Sequence, residues 1–167
     1  MKKIIVFGDL PIASKVCEEI LGYSDLVLSG IVLGNKTKIK NNDPWNILPL
    51  KEYAKIKNIP ILNFETIIES KQQYYIGISA RFSRIIPNGV INSFKSGIIN
   101  FHGGLLHEYG GLYSTCHAIL EGSKYGGGTI HYINEGIDTG EIIKRCEVEI
   151  SENEMGHHKL FLFSCYI

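Results

Sequence analysis

Asn100 and His102 stand one residue apart at the end of an apolar run, Ile98-Ile99-Asn100-Phe101-His102, that breaks into Gly103 and Gly104. Alternate residues of a strand project to the same face, so the amide and the imidazole point together where the chain turns. Open α/β sheets place ligands at that carboxyl end. An amide can polarise a carbonyl and an imidazole can move a proton, which together suit chemistry at a carbonyl carbon. Taken alone, Asn-x-His is a short and common string, and two side chains that merely tie down a loop explain it better. The elements around the pair decide how far the chemical reading goes.

Strands and helices alternate through the first part of the chain. Lys3–Phe7 is a nearly continuous β-branched and aromatic run, the pattern of a buried parallel strand. Gly8-Asp9-Leu10-Pro11 turns it, and residues 12–21 have helical spacing with Pro11 in the first turn. Gly8 suits either a ligand approaching the backbone or a tight turn, and the Gly-x-Gly-x-x-Gly dinucleotide fingerprint is absent. Leu26–Leu33 is a second strand. Residues 34–46 are polar, with Lys36, Lys38 and Lys40, and read as an exposed, mobile loop. A helix is expected over 48–56 with Pro49 in its first turn, then an edge strand over 59–62, a helix over 64–71 and a core strand over 74–79.

Arg81 and Arg84 follow that strand among apolar residues, placed equally well to grip an anion or to lie along the surface. A helix over 88–94 leads to the Ile98 strand. Beyond it come a helix over 113–120, a strand over 129–133 entered through Gly126-Gly127-Gly128, a tight loop over 134–140 and a strand over 141–150. His131 reads as a structural histidine. Ser151 and Glu154 form a capping-box pattern that starts a helix near Glu152. The alternation implies a Rossmann-like α/β fold, a mostly parallel twisted sheet with helices on both faces and right-handed crossovers.

Composition narrows the partners. The 167 residues are 44% hydrophobic, enough for one domain with a real core. Lys+Arg and Asp+Glu number 17 each, so there is no basic excess of the kind nucleic-acid binders carry. Cys17, Cys116, Cys146 and Cys165 are scattered and read as reduced thiols, mostly core filler, in a cytoplasmic protein. The apolar start ends at Gly8-Asp9, too short for a signal segment, and no stretch is long enough to span a bilayer. No metal-ligand spacing appears. Leu160-Phe161-Leu162-Phe163 suits core packing or a homodimer contact.

Several motifs coincide in order: Asn100-Phe101-His102, Leu105-Leu106, Tyr109-Gly110-Gly111, Gly128-Thr129-Ile130-His131, and Ile137-Asp138-Thr139-Gly140-Glu141-Ile142-Ile143. Together they resemble the formyltransferases that use 10-formyltetrahydrofolate, over nearly the whole chain and most strongly from Tyr74 to Ile143. The resemblance implies a catalytic set of Asn100, His102 and Asp138. It implies a folate pocket of Ser83, Arg84, Ile85, Ile86, Ile91, Asn134, Glu135 and Gly136, with Gly8, Arg81, Glu108, Tyr109 and Gly111 on the acceptor side.

Within that family the ribonucleotide enzymes carry a Gly-x-Gly-Ser-Asn phosphate loop where this chain has Gly8-Asp9-Leu10-Pro11, and the tRNA enzymes add a basic carboxy-terminal domain. Many relatives have proline where this chain has His107. The opening residues 7–13 and the run Ser79-Ala80-Arg81-Phe82 look most like the sugar N-formyltransferases. The implied acceptor is the amine of a nucleotide-linked amino sugar used for O-antigen or a similar glycan. Another amine, on methionyl-tRNA or a purine precursor, is the alternative. Sugar enzymes of this type extend well past the Asp-Thr-Gly loop, so residues 1–167 read as a single catalytic domain that stops short. It is then a natural short form, or a truncated, inactive member that only binds.

Overall fold

The computed structural model describes residues 1–35, 47–71 and 73–150. The polar loop over 36–46, the helix expected from Glu152 and the apolar run 160–163 lie outside the described residues. Among the described residues, seven strands and five helices alternate as an α/β fold with mostly parallel pairing. The chain forms two compact units, the first ending at Ile99 and the second beginning at Asn100.

The first unit orders its strands β3 (Ile61–Leu62), β2 (Leu26–Leu33), β1 (Lys2–Gly8), β4 (Ile76–Ala80), all parallel. The continuous apolar run explains the central place of β1, where Ile4 to Phe7 are buried. Phe7 meets Phe82 and Phe94 edge-on, with ring centroids 5.6 and 5.9 Å apart. Burying one such side chain contributes about 1.5–3 kcal/mol. Helix α1 (Pro11–Leu21) starts on its proline and buries Ala13, Ser14, Cys17 and Ile20, one helical face.

Helix α2 (Leu50–Ile56) starts two residues later than the sequence suggests, because Pro49 is extended (φ −55°, ψ 146°) and stands at its N-cap. Helix α3 (Phe64–Glu69) is capped by Asn63, whose Oδ1 accepts the Thr66 amide at 2.8 Å. Helix α4 (Asn88–Ile91) ends before the expected Phe94, and Ser93 donates its hydroxyl back to the Gly89 carbonyl at 2.7 Å.

The boundary between the units falls inside β5 (Ile98–His102). Helix α5 (Ser114–Leu120), β6 (Tyr125–Tyr132) and β7 (Ile142–Glu149) follow, with β7 antiparallel to β6. The sequence places the start of β6 at Thr129, yet the strand already includes the three glycines. A Cβ on Gly127 would run into the Cys146 carbonyl and Leu105, so close backbone approach explains the glycine, not a loop. The expectation that the cysteines fill the core holds for Cys17; Cys116 is exposed and Cys146 half-buried.

Candidate active site

β5 delivers Asn100 and His102, and β6 delivers Thr129 and His131, again two apart and so on one face. Thr129 is fully buried and pins the glycine turn after β5. Its hydroxyl donates to the Gly104 carbonyl at 2.7 Å and accepts the Leu106 amide at 3.1 Å. Gly104 leaves no room for a Cβ, which would press on Ser114 and on the Tyr109 carbonyl at 2.8 Å. The turn therefore folds tightly back over His102.

His102 is 8% exposed. Its Nε2 lies 2.7 Å from the Tyr109 carbonyl oxygen and 3.1 Å from the Ser114 hydroxyl. The carbonyl can only accept, so Nε2 carries a proton. Nδ1 is then the nitrogen turned towards Asp138, whose Oδ2 lies 3.4 Å away. The same Oδ2 accepts the Gly111 amide at 2.8 Å. Oδ1 lies 3.5 Å from Nε2 of His131. These separations exceed the 2.7–2.9 Å typical of a tight charge-assisted bond. Burial pushes the Asp138 carboxyl up. The His131 side chain, the Gly111 amide and the His102 ring beside it outweigh that effect and hold the carboxyl below the usual range.

His131 is 2% exposed and joins the set. Its Nδ1 lies 2.9 Å from the Tyr132 carbonyl, to which it donates, and its Nε2 accepts from Asn100 Nδ2 at 3.1 Å. One amide proton of Asn100 is thereby fixed and the other remains to donate elsewhere. Read from sequence, His131 is structural, and nothing local marks Ser114. The signal for His131 was its spacing from Thr129 on a strand beside β5.

Asp138 itself lies in the left-handed region at φ 53°, and Tyr113 at φ 58°. Such backbone costs about 1–3 kcal/mol per residue and persists where surrounding bonds impose it. Behind Asp138, Asn134 Oδ1 accepts the Gly136 amide at 3.1 Å and the Thr139 hydroxyl at 2.8 Å, so this side chain shapes its own loop. Gly136 admits no Cβ against Thr139, and Glu135 is exposed.

Several other residues singled out in sequence lie in the first unit. Ser83 donates its amide to Asp9 Oδ2 at 2.9 Å, and its hydroxyl accepts the Asn35 amide at 2.8 Å. The Arg84 guanidinium sits 4.2 Å over the Phe64 ring. Ile86 is buried, Ile91 half-buried and Ile85 81% exposed. Arg81 is exposed in the left-handed region at φ 57°. Gly8 is packed against Ala13, Ala80 and Leu50, which leave no room for a Cβ. Of the residues expected on the acceptor side, Glu108 pairs with Arg145 at 3.0 Å, and the Tyr109 hydroxyl donates to Glu121 at 3.2 Å. Among the described residues no His, Cys, Asp and Glu side chains group to hold a metal, and no helix is long and apolar enough to cross a membrane.

Residues 31–158 match the formyl transferase family. The chain belongs to that family. A methionyl-tRNA formyltransferase of Bacillus thuringiensis subsp. konkukian is 31% identical over 166 residues, covering 92% of this chain. The chain spans about half of that relative's length, 51%. The N-formyltransferase of Helicobacter canadensis, solved with folinic acid and dTDP-3-aminofucose, is 27% identical with a TM-score of 0.81, over 99% of this chain and 60% of that one. The sugar 3N-formyl transferase WlaRD, solved with dTDP and 5-N-formyl-THF, is 27% identical with a TM-score of 0.78, over 99% of this chain and 58% of that one.

Proposed function

We propose that this chain moves a formyl group from 10-formyltetrahydrofolate to the amine of a nucleotide-linked amino sugar, such as a dTDP-amino-dideoxyhexose, in the cytoplasm and for surface glycan synthesis. The observation that carries the reading is the convergence of Asn100, His102 and Asp138 within one unit. The amine attacks the formyl carbon, the carbonyl becomes an oxyanion, and the C–N10 bond then breaks. The amine loses one proton and N10 gains one.

Asn100 supports this by donating its free amide N–H to the oxyanion. A preorganised donor of this kind is worth about 3 kcal/mol. His102, held at Nε2 by the Tyr109 carbonyl, offers Nδ1 for the travelling proton. Asp138 stays ionised beside Nδ1, where it orients His102, stabilises the imidazolium that forms when Nδ1 takes the proton, and steers a water that relays it. The folate is a co-substrate, and the exposed apolar side chain of Ile85 suits a flat heterocycle. On this reading Ser83, Arg84, Ile86, Ile91 and the loop 134–136 also serve it, Ser83 and Asn134 through shape because their side chains are engaged.

The likeness to the Helicobacter canadensis enzyme favours an amino sugar. The 31% identity to methionyl-tRNA formyltransferase supports methionyl-tRNA as the second reading. Incubating the chain with labelled 10-formyltetrahydrofolate and each acceptor separates them. Label on dTDP-3-aminofucose, lost in His102→Ala, is expected. Label only on methionyl-tRNA moves the assignment to the second reading, and folate binding without transfer to any amine points to an inactive member.

A further inference from the structure

The turn between β5 and α5 presents few free side chains. Leu105 and Leu106 are buried, Glu108 is held by Arg145, and the Tyr109 hydroxyl is held by Glu121. Leu112 and Tyr113 are different: they are 79% and 76% exposed. They stand between two residues that bind the catalytic pair, Gly111 on Asp138 and Ser114 on His102. Ile137, the residue before Asp138, is 72% exposed as well. Apolar side chains thus flank a buried polar centre.

Tyr113 also sits in the left-handed region, where its φ of 58° suits glycine and strains an aromatic residue. The bonds that impose this conformation are made by its neighbours and by its own carbonyl, which accepts the His117 amide at 3.1 Å and would do so from glycine as well. Glycine at 113 would make the same turn without strain, so the turn does not require the ring. Strain retained for a ring in solvent beside a reacting centre is the pattern of a ligand contact.

We infer that Tyr113 is a specificity-determining residue whose ring stacks on the apolar face of the amino sugar, next to the amine that reacts. The assignment rests on the amino-sugar reading above and deepens it. The sugar, not the nucleotide, is the group that must reach His102, and Tyr113 is one residue from Ser114, whose hydroxyl lies 3.1 Å from the His102 ring. Aromatic side chains offer a large rigid face to such a surface at low entropic cost.

The test is calorimetric binding of dTDP-3-aminofucose and of dTDP alone to the full chain and to Tyr113→Gly and Tyr113→Phe, with 5-formyltetrahydrofolate as a parallel ligand. Tyr113→Gly is expected to weaken dTDP-3-aminofucose roughly tenfold, the size of one good aromatic contact. It should leave dTDP and the folate within about twofold and raise the melting temperature by relieving strain. Tyr113→Phe keeps the ring and should bind the sugar nucleotide like the parent.

Equal affinity of the parent and Tyr113→Gly for dTDP-3-aminofucose overturns the inference. So does an equal loss for dTDP, which would put the ring on the nucleotide. So does a parent that binds neither nucleotide; folate binding by that parent would leave formyl transfer to another amine standing. Tyr113-dependent sugar binding by a chain that ignores folate would sustain the contact and remove the formyl-transfer reading instead.

Discussion

The side-chain amide of Asn100 and the ring of His131 meet at 3.1 Å, Nδ2 to Nε2, while the far nitrogen of that ring is committed to the Tyr132 carbonyl at 2.9 Å. The tautomer and the amide orientation therefore fix each other. An amide held this way keeps its second N–H aimed without reorganising during reaction.

Removing Asn100 as Asn100→Ala should lower kcat about 10²–10³-fold, the usual loss for one oxyanion donor. His131→Ala leaves the donor but frees it to turn, so a smaller fall, on the order of tenfold, is expected. The two losses should not add in the double variant, because one residue acts through the other. Steady-state kinetics with folate and acceptor varied in turn check this. A fully additive pair would show that His131 merely fills space.

Asp138 gives a pH signature. Its carboxyl is held below its ordinary value, so the folded state favours the ionised form more than the unfolded chain does. The resulting stability is present above the unfolded value of about 4 and is lost as pH falls through the lower folded value. Asp138→Asn has no such proton to take up. Thermal unfolding followed from pH 7 to 3 should therefore fall less steeply for the variant below about pH 4 than for the parent. Parallel curves would mean that the carboxylate is no better solvated by its imidazoles than by water.

The cysteines offer a test of burial. Burial pushes the Cys17 thiol up to about 12, whereas Cys116 is exposed on α5. Thiolate is the reactive form, so iodoacetamide at neutral pH should label Cys116 in the native protein and spare Cys17. Peptide mass spectrometry reads both at once. Labelling of both at comparable rates would show that α1 opens easily from β1 and β2.

The order of strands and helices was legible in the sequence wherever one physical signal dominated. β2 falls where its apolar run predicts, and α1 begins on Pro11. Errors gathered where tertiary contacts overrule local preference. The glycines ahead of Thr129 look like a loop because their use, admitting the Cys146 carbonyl, belongs to a strand 19 residues away in the paired register Gly127↔Glu147 and its neighbours. Gly8, read as either a ligand approach or a tight turn, shows a constraint of the same kind: Ala13, which crowds it, comes from the following helix.

At the site, Asn100 and His102 could be paired from strand alternation alone, but Asp138 entered through family resemblance. Nothing local says that a left-handed aspartate after β6 returns to β5. His131 carried a legible spacing from Thr129, though its role depends on a neighbouring strand that a single sequence does not name.

The ends of β1, β2 and β4 are tied by one small clasp, and Gly34 is the point at which to test it. Asp9 is buried after β1; its Oδ2 accepts the Ser83 amide at 2.9 Å, and Ser83 in turn accepts the Asn35 amide at 2.8 Å. A Cβ on Gly34 would collide with the Asp9 carboxylate and the Ser83 hydroxyl. Among the described residues the buried Asp9 Oδ1 has no hydrogen-bond partner, so the carboxylate has little to gain by moving deeper. Gly34→Ala must therefore push Ser83 outward, and the loop that carries Arg84 and Ile85 moves with it.

We expect a stability loss of about 1–3 kcal/mol from overpacking and weaker binding of 5-formyltetrahydrofolate. Denaturant unfolding and calorimetry measure the two quantities separately. Folate affinity unchanged in a destabilised Gly34→Ala would restrict the clasp to folding and detach Ser83 and its loop from the co-substrate.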